Sequence, residues 1–421
     1  MNRKLFGAAI FILLLSLLTA IASADEVEYI LPVFVEYEKN PVVVPPINGF
    51  YYSPDILIEN SGSWIMVHGG QAVDTRAYGD AIYIAFSEDG GNTWDREGVG
   101  LILPDGGIGA WDDSHVNDPS IVKLPNGTYL MAFTGAYGFG GNETDQIGLA
   151  TTNNPKNGWT EVPWNPILPE GYSYDEYYPA RPTMLFEDGV LKIWYDCRST
   201  PYNYGNPPAT FRGIAYATST DYGATWTRHG LVIESDSGLG GPSVYRQDND
   251  TLVMVAEEAT GVRHFNWYTS SDGLSWVYRG QVVNPVAPWH TINGVSSADV
   301  LKDNDGRWRI YFAGGNEEIG SSWTIGFAYD IMFDATGNEY SGGGYVVETI
   351  AVPELPTQER EENVELSAPT SPIPAPLPAQ SLPPELEPSV SFPKTWAAAA
   401  VIVTTIVVGA SLIVYFKRRK R

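Results

Sequence analysis

The chain has 421 residues, among them 43 glycines and 31 prolines, with 13% aromatic and only 18% charged residues, a balance that favours a turn-rich all-β protein and excludes a helical bundle or coiled coil. Eight of the 25 basic residues sit at the two ends (Arg3, Lys4, Lys394 and Lys417 to Arg421), which leaves 17 against all 50 acidic residues in between. Such a surface repels phosphate backbones, so nucleic acid is excluded as a partner.

Residues 1–24 read as a secretory signal peptide: Arg3 and Lys4, an apolar run from Leu5 to Ile21, then Ala22-Ser23-Ala24 as the cleavage site. The body is expected over 25–352. Residues 353–394 are rich in Pro, Glu, Ser and Ala, cannot bury enough apolar surface to fold, and are expected to form an extended stalk. Residues 395–416 are apolar and long enough for one transmembrane helix, and the basic 417–421 then lies on the cytoplasmic side. The expected product is a single-pass cell-membrane protein with its N-terminal domain outside, its membrane partner reached through the C-terminal helix. Cys197 is the sole cysteine, so no internal disulfide forms and no cysteine metal cluster is possible. Sequons at Asn126, Asn142 and Asn249 suit an exterior surface.

Within the body one unit recurs five times. Its opening strands are SPDILI from Ser53, DPSIVKL from Asp118, RPTMLF from Arg181, GPSVYR from Gly241 and SADVLK from Ser297. The proline falls at 54, 119, 182 and 242, with Ala298 in the fifth unit. Each opening strand is followed by an apolar second strand (SWIMVHG, TYLMAFTG, VLKIWYDC, TLVMVAEE, RWRIYFAG) and a third such as AIYIAFS, whose alternation predicts sheets packed on both faces. Third strands end in turns of the form S-x-D-x-G-x-x-W, at Ser87 to Trp94 and Ser219 to Trp226, with a shorter version from Ser270 to Trp276. In such a turn the Asp accepts backbone hydrogen bonds, the Gly allows positive φ and the Trp packs between sheets.

These turns resemble the Asp-boxes of sialidases, and the whole unit resembles a blade of the five-bladed glycoside hydrolases of the arabinanase/xylosidase and invertase-type families. The likeness runs from about residue 50 to 335 and implies an all-β, five-bladed propeller. A six-bladed sialidase-type propeller is the alternative, but five opening strands are present. Either Val27 to Tyr37 or Gly344 to Ile350 would supply the last blade's missing strand. The turn residues Asp89, Asp221 and Asp272 belong to the outer rim and are expected to be structural.

In a propeller the opening strands line the central channel, so residues flanking the proline column face its mouth. Cleavage of a glycosidic bond needs two flanking carboxyl groups, one protonated and one ionised. The resemblance implies Asp55, in an S-P-D context, and Asp118, in N-D-P-S, as catalytic carboxylates. Glu176, just before the third opening strand, is the first choice for a third, with Glu257 or Glu258 second. Arg181, Asp299, Trp111, Trp289, Tyr177 and His115 are the expected substrate-binding residues, the aromatics by stacking on sugar faces. The E-G-P or E-C-P and W-M-N-D-P signatures of those families are absent, and no sialidase-like arginine triad is evident, although Arg76 with Asp74 and Asp80 mimics part of a sialidase site. No cofactor and no catalytic metal is expected; a structural calcium is compatible with the acidic channel. The reading is a surface-anchored glycoside hydrolase acting on extracellular glycans. A non-catalytic glycan- or partner-binding propeller and an exo-sialidase stand as alternatives.

Overall fold

The computed structural model describes residues 29–46, 49–71, 79–95, 100–138, 144–171, 174–175, 178–198, 211–235, 238–259, 262–283, 289–290, 292–316 and 321–331. The expected signal peptide, stalk, membrane helix and basic tail lie outside these residues, as do Gly344 to Ile350 and the Asn142 sequon.

The described residues contain twenty strands and no helix. They form five four-stranded antiparallel sheets, the blades of a propeller. Blade I is β2 (Phe50–Ile58), β3 (Trp64–Gln71), β4 (Ala81–Ser87) and β5 (Leu101–Leu103). Blade II is β6 (His115–Lys123), β7 (Tyr129–Tyr137), β8 (Thr144–Thr152) and β9 (Thr160–Glu161). Blade III is β10 (Ala180–Glu187), β11 (Val190–Arg198), β12 (Phe211–Ser219) and β13 (Thr227–Glu234), and blade IV is β14 (Leu239–Arg246), β15 (Leu252–Glu258), β16 (His264–Ser270) and β17 (Val277–Val282). Blade V combines β18 (Ile292–Lys302), β19 (Trp308–Asn316) and β20 (Ser321–Asp330) with β1 (Phe34–Glu36) from the start of the body. The five opening strands of the repeat are β2, β6, β10, β14 and β18, and the first of the two closing segments foreseen is the one used: Phe34 pairs with Asp330.

The core is divided as the two-faced alternation requires. Five apolar clusters each fill one gap between neighbouring blades, as where Leu130 and Ile147 of blade II meet Ile193 and Ala215 of blade III. The turn tryptophans contribute to these layers: Trp94 of blade I meets Tyr311 of blade V edge-on, and Trp276 of blade IV meets Trp194 of blade III. In the turns themselves Asp89 accepts the amides of Asn92 and Thr93 at 3.1 and 2.9 Å. These donors draw its carboxyl below the ordinary range although burial opposes them. Cys197 is buried, and burial raises its thiol well above the usual value.

Every opening strand carries a bulge at the same place, between Tyr52 and Asp55, Asn117 and Ser120, Ala180 and Thr183, Gly240 and Ser243, and Ser296 and Asp299. The residue before the proline column adopts a left-handed conformation in all five, with φ of 49° at Ser53, 48° at Asp118, 46° at Arg181, 53° at Gly241 and 49° at Ser297. Four of the five are not glycine, so the ring holds a backbone state that side chains disfavour by about 1–3 kcal/mol each. The proline that follows in four of them has no N–H to leave unpaired in the bulge.

The residue after the proline column locks the blades together. Asp55 accepts the amide of Ile121 at 2.8 Å, Ser120 that of Met184 at 2.9 Å, Thr183 that of Val244 at 3.2 Å, Ser243 that of Val300 at 2.9 Å, and Asp299 that of Ile56 at 2.8 Å. Each bond joins one blade to the next, and the fifth returns to the first. Thr183→Val should therefore leave the Val244 amide buried without a partner and cost about 1–3 kcal/mol, whereas Thr183→Ser should be near neutral. Denaturant midpoints at unchanged m-value read this directly; equal midpoints for the two variants would show that the ring bond contributes nothing.

Candidate active site at the channel mouth

Residues around the proline column of all five blades line a cavity of about 320 Å³, open solvent included. Asp118 is its central carboxyl. The Ser53 hydroxyl donates to Asp118 across the blade I–II boundary. Burial raises the Asp118 carboxyl to about 6, against the opposing pull of Arg181 and Ser53 and with help from Asp196 and Asp145.

Arg181, in the next blade, spans two further carboxylates. Its Nε reaches Asp196 of β11 at 2.5 Å and its Nη1 reaches Glu257 of β15 at 3.2 Å. Burial works against the guanidinium charge, but Asp196 and Glu257 outweigh it and raise the pKa. Blade IV makes room for this bridge. A Cβ placed on Gly240 would lie 2.5 Å from Arg181 Nη2 and 2.6 Å from Asp196 Oδ2, and the Gly241 amide donates to Asp196. Glu257 also accepts Ser296 Oγ at 2.8 Å and the Ser297 amide at 3.0 Å, and Arg263 lies 3.3 Å away. Burial alone would raise this carboxyl; Arg181, Arg263 and the two donors hold it below the ordinary range. Of the three buried carboxyls near this guanidinium, burial drives Asp118 and Asp196 toward the protonated form, while Glu257 is drawn toward the ionised one.

Around this centre, the Tyr52 hydroxyl donates to Asp80 and accepts from Asn117 at 2.8 Å. His115 lies 3.5 Å from Asp145, and the Arg198 guanidinium lies 3.7 Å from the centroid of the Tyr178 ring.

Asp118 and Arg181 thus line the cavity, whereas His115, paired with Asp145, is not among the residues lining it. Asp55 lines the same cavity and Asp299 does not, and each spends an oxygen on the inter-blade ring. Burial raises Asp55 to about 7, and burial, then the Asp55 charge, raises Asp299 well above the ordinary carboxyl value. Glu176 and Tyr177 lie outside the described residues, as do Asp74 and Arg76. Trp111 and Trp289 serve their own blades. Trp111 covers the bare backbones of Gly135 and Gly148, where added Cβ atoms would stand 2.5 Å from the indole, and its Nε1 donates to Glu161 at 3.1 Å. Trp289 covers Gly314 and Gly326 in the same manner and donates to Glu36.

Asp196 is absent from the sequence-derived candidates, though a signal for it exists. In the second strands, Gly69, Thr134, Asp196, Glu257 and Ala313 pair with equivalent opening-strand residues, namely Tyr52, Asn117, Ala180, Gly240 and Ser296. Three members of that column are small and uncharged. The two carboxylates are the exceptions, and Arg181 answers both.

No protein-family model matches the sequence, and no curated protein matches it. Solved structures do. A complex of BT0996 with RGII superposes with a TM-score of 0.55 at 17% identity, over 71% of this chain and 91% of that one. Zg3597, a family 117 glycoside hydrolase from the marine bacterium Zobellia galactanivorans, superposes with a TM-score of 0.53 at 16% identity, over 71% of this chain and 91% of that one. A structure from work on GH130 enzymes that target β-1,2 mannosidic linkages in Candida mannan gives 0.53 at 13% identity, over 74% and 96%. At these identities the likeness is one of fold. The chain is a five-bladed propeller of the kind that glycoside hydrolases use.

Proposed function

We propose that the protein is a glycoside hydrolase that cleaves glycans at the mouth of its propeller channel. One observation carries the reading: the carboxyls of Asp118 and Glu257, close to the same guanidinium, are shifted in opposite directions, the first toward holding a proton and the second toward losing it. That is the division of labour glycosidic cleavage requires, and environments that push paired carboxyls apart mark acid and base. Asp118, raised by burial, is the proton donor and Glu257 the ionised counterpart, held so by Arg181 and Arg263. The fold shared with glycoside hydrolases supports the class of reaction. The N-terminal apolar run and the C-terminal apolar segment with its basic tail support export and anchoring, so that the propeller works at the cell surface.

A second reading, glycan binding without cleavage, is favoured by the saturation of Glu257, which faces two arginines, a hydroxyl and an amide. The purified protein, incubated with arabinosides, xylosides, fructosides, mannosides and sialosides, separates the two. Release of sugar that Asp118→Asn abolishes supports the hydrolase. Binding on a glycan array without release, unchanged in Asp118→Asn, overturns it.

A further inference from the structure

Blades II and V carry clasps built to one plan. In blade II, Trp111 lies over Gly135 of β7 and Gly148 of β8, and Glu161 on β9 receives its indole N–H. In blade V, Trp289 lies over Gly314 of β19 and Gly326 of β20, and Glu36 on β1 receives its indole N–H. Four residues beyond each glutamate stands an Asn-Pro pair. Asn165 exchanges two hydrogen bonds with Leu149 at 2.9 and 3.0 Å, and Asn40 does the same with Phe327 at 3.0 and 2.8 Å.

The clasps differ in the residue after the tryptophan. In blade V it is His290, whose Nε2 lies 2.8 Å from Glu36. In blade II it is Asp112, 1% exposed, whose Oδ2 meets no donor among the described residues and whose carboxyl faces that of Glu161. Glu161 already takes the Trp111 and Asn165 N–H groups on Oε2, at 3.1 and 3.0 Å. A buried carboxyl facing a half-buried one is stable there when one of the two keeps its proton.

We propose that Asp112 keeps a proton that it donates to Glu161 and so forms a lock that fixes the loop of residues 104–114, positioning the strand that carries Asp118. The loop runs directly into β6: the Ser114 amide donates to Ala136 at 2.9 Å, and Asp118 follows within the strand. Its consequence for cleavage rests on the role of Asp118 given above; the lock itself does not.

Burial, then Glu161, then Asp105 raise Asp112 to about 7. Of the neighbouring charged groups, Asp113 accepts the Gly109 and Gly138 amides at 2.7 and 3.2 Å, and His115 is paired with Asp145. Since the fold keeps a proton that the unfolded chain releases near the ordinary carboxyl value, the lock is strongest in acid. It weakens as pH rises from about 4 toward 7 and is level above.

Hydrogen exchange of residues 104–114 in the intact protein, corrected for intrinsic rates, tests this between pH 5 and 8.5. Protection of the wild type should fall about tenfold or more from pH 5 to 7.5 and then level off. Asp112→Asn supplies an N–H to Glu161 at every pH and should remove the slope; Glu161→Gln should do so from the other side. A flat wild-type profile, or a slope kept in both variants, overturns the proposal. The exchange profile is independent of whether any glycoside is cleaved, so failure of the lock and failure of the hydrolase reading are told apart.

Discussion

Asp118→Asn is expected to lower the cleavage of any glycoside the protein hydrolyses by two to four orders of magnitude, the usual contribution of a positioned proton donor. KM should change little, because asparagine keeps the volume and can still accept from the Ser53 hydroxyl. The same assignment fixes the shape of the pH profile. A donor must be protonated, and burial lifts Asp118 to about 6, so activity should fall as pH rises through that value. Ser53→Ala removes a group that favours the ionised form and should move this alkaline limb upward. A pH profile of kcat/KM on the best substrate checks both statements. A limb that stays in place in the Ser53 variant, or an Asp118→Asn rate within threefold of wild type, would remove Asp118 from the role of acid.

The second large effect is on stability. Arg181→Met keeps much of the side-chain volume but strands two buried carboxylates, Asp196 and Glu257, whose charges the guanidinium answers. Removing one partner from a buried ion pair costs about 3–5 kcal/mol, and here one substitution breaks two pairs. The sign of the pH dependence is distinctive. In the wild type Glu257 is held below the ordinary carboxyl range, so its contribution is present at neutral pH and is lost as pH falls through that lowered value. In the variant both buried carboxyls lose the Arg181 charge, Glu257 keeping only Arg263 and Asp196 only the weaker pull of Arg198, so their pKa values rise and protonation relieves the penalty. The deficit relative to wild type should be largest near pH 7.5 and should shrink toward pH 5. Denaturant unfolding at the two pH values measures it, and a deficit below about 1 kcal/mol at pH 7.5 would mean that Arg181 is not what neutralises the mouth.

The architecture is readable because it is written five times. A proline column recurring at 54, 119, 182 and 242 exposes the blades, and alternation within each strand announces packing on both faces. Side-chain roles are less legible, for a physical reason. The residue after the proline varies between Asp, Ser and Thr, which looks like chemistry at Asp55 and Asp299 until the fold shows that all five accept one amide from the next blade. A carboxylate and a hydroxyl are equally good acceptors there, so residue type does not reveal the task. The tryptophans misdirect similarly: Trp111 and Trp289 stand outside the repeat, but their glycine platforms come from other strands and only the fold brings them together. Asp196 is visible only by aligning second strands, since what marks it is the contrast with small residues at the same level.

Closure of the fifth blade has a consequence for synthesis. The strand that completes it, Phe34–Glu36, leaves the ribosome before every other strand described, and Asn40 finds Phe327 across 287 residues. The opening segment of the body must therefore wait, its edge unpaired, until nearly all the rest has been made. The circle of amide bonds between blades likewise stays open until Ile56 meets Asp299. A propeller sealed in this way resists piecemeal folding: intermediates with three or four blades have two ragged flanks and an exposed apolar layer at each, which makes them sticky. Long-range closure is slow, so for this chain the hazardous interval is its own production, and a nascent copy needs shelter until its two ends are joined.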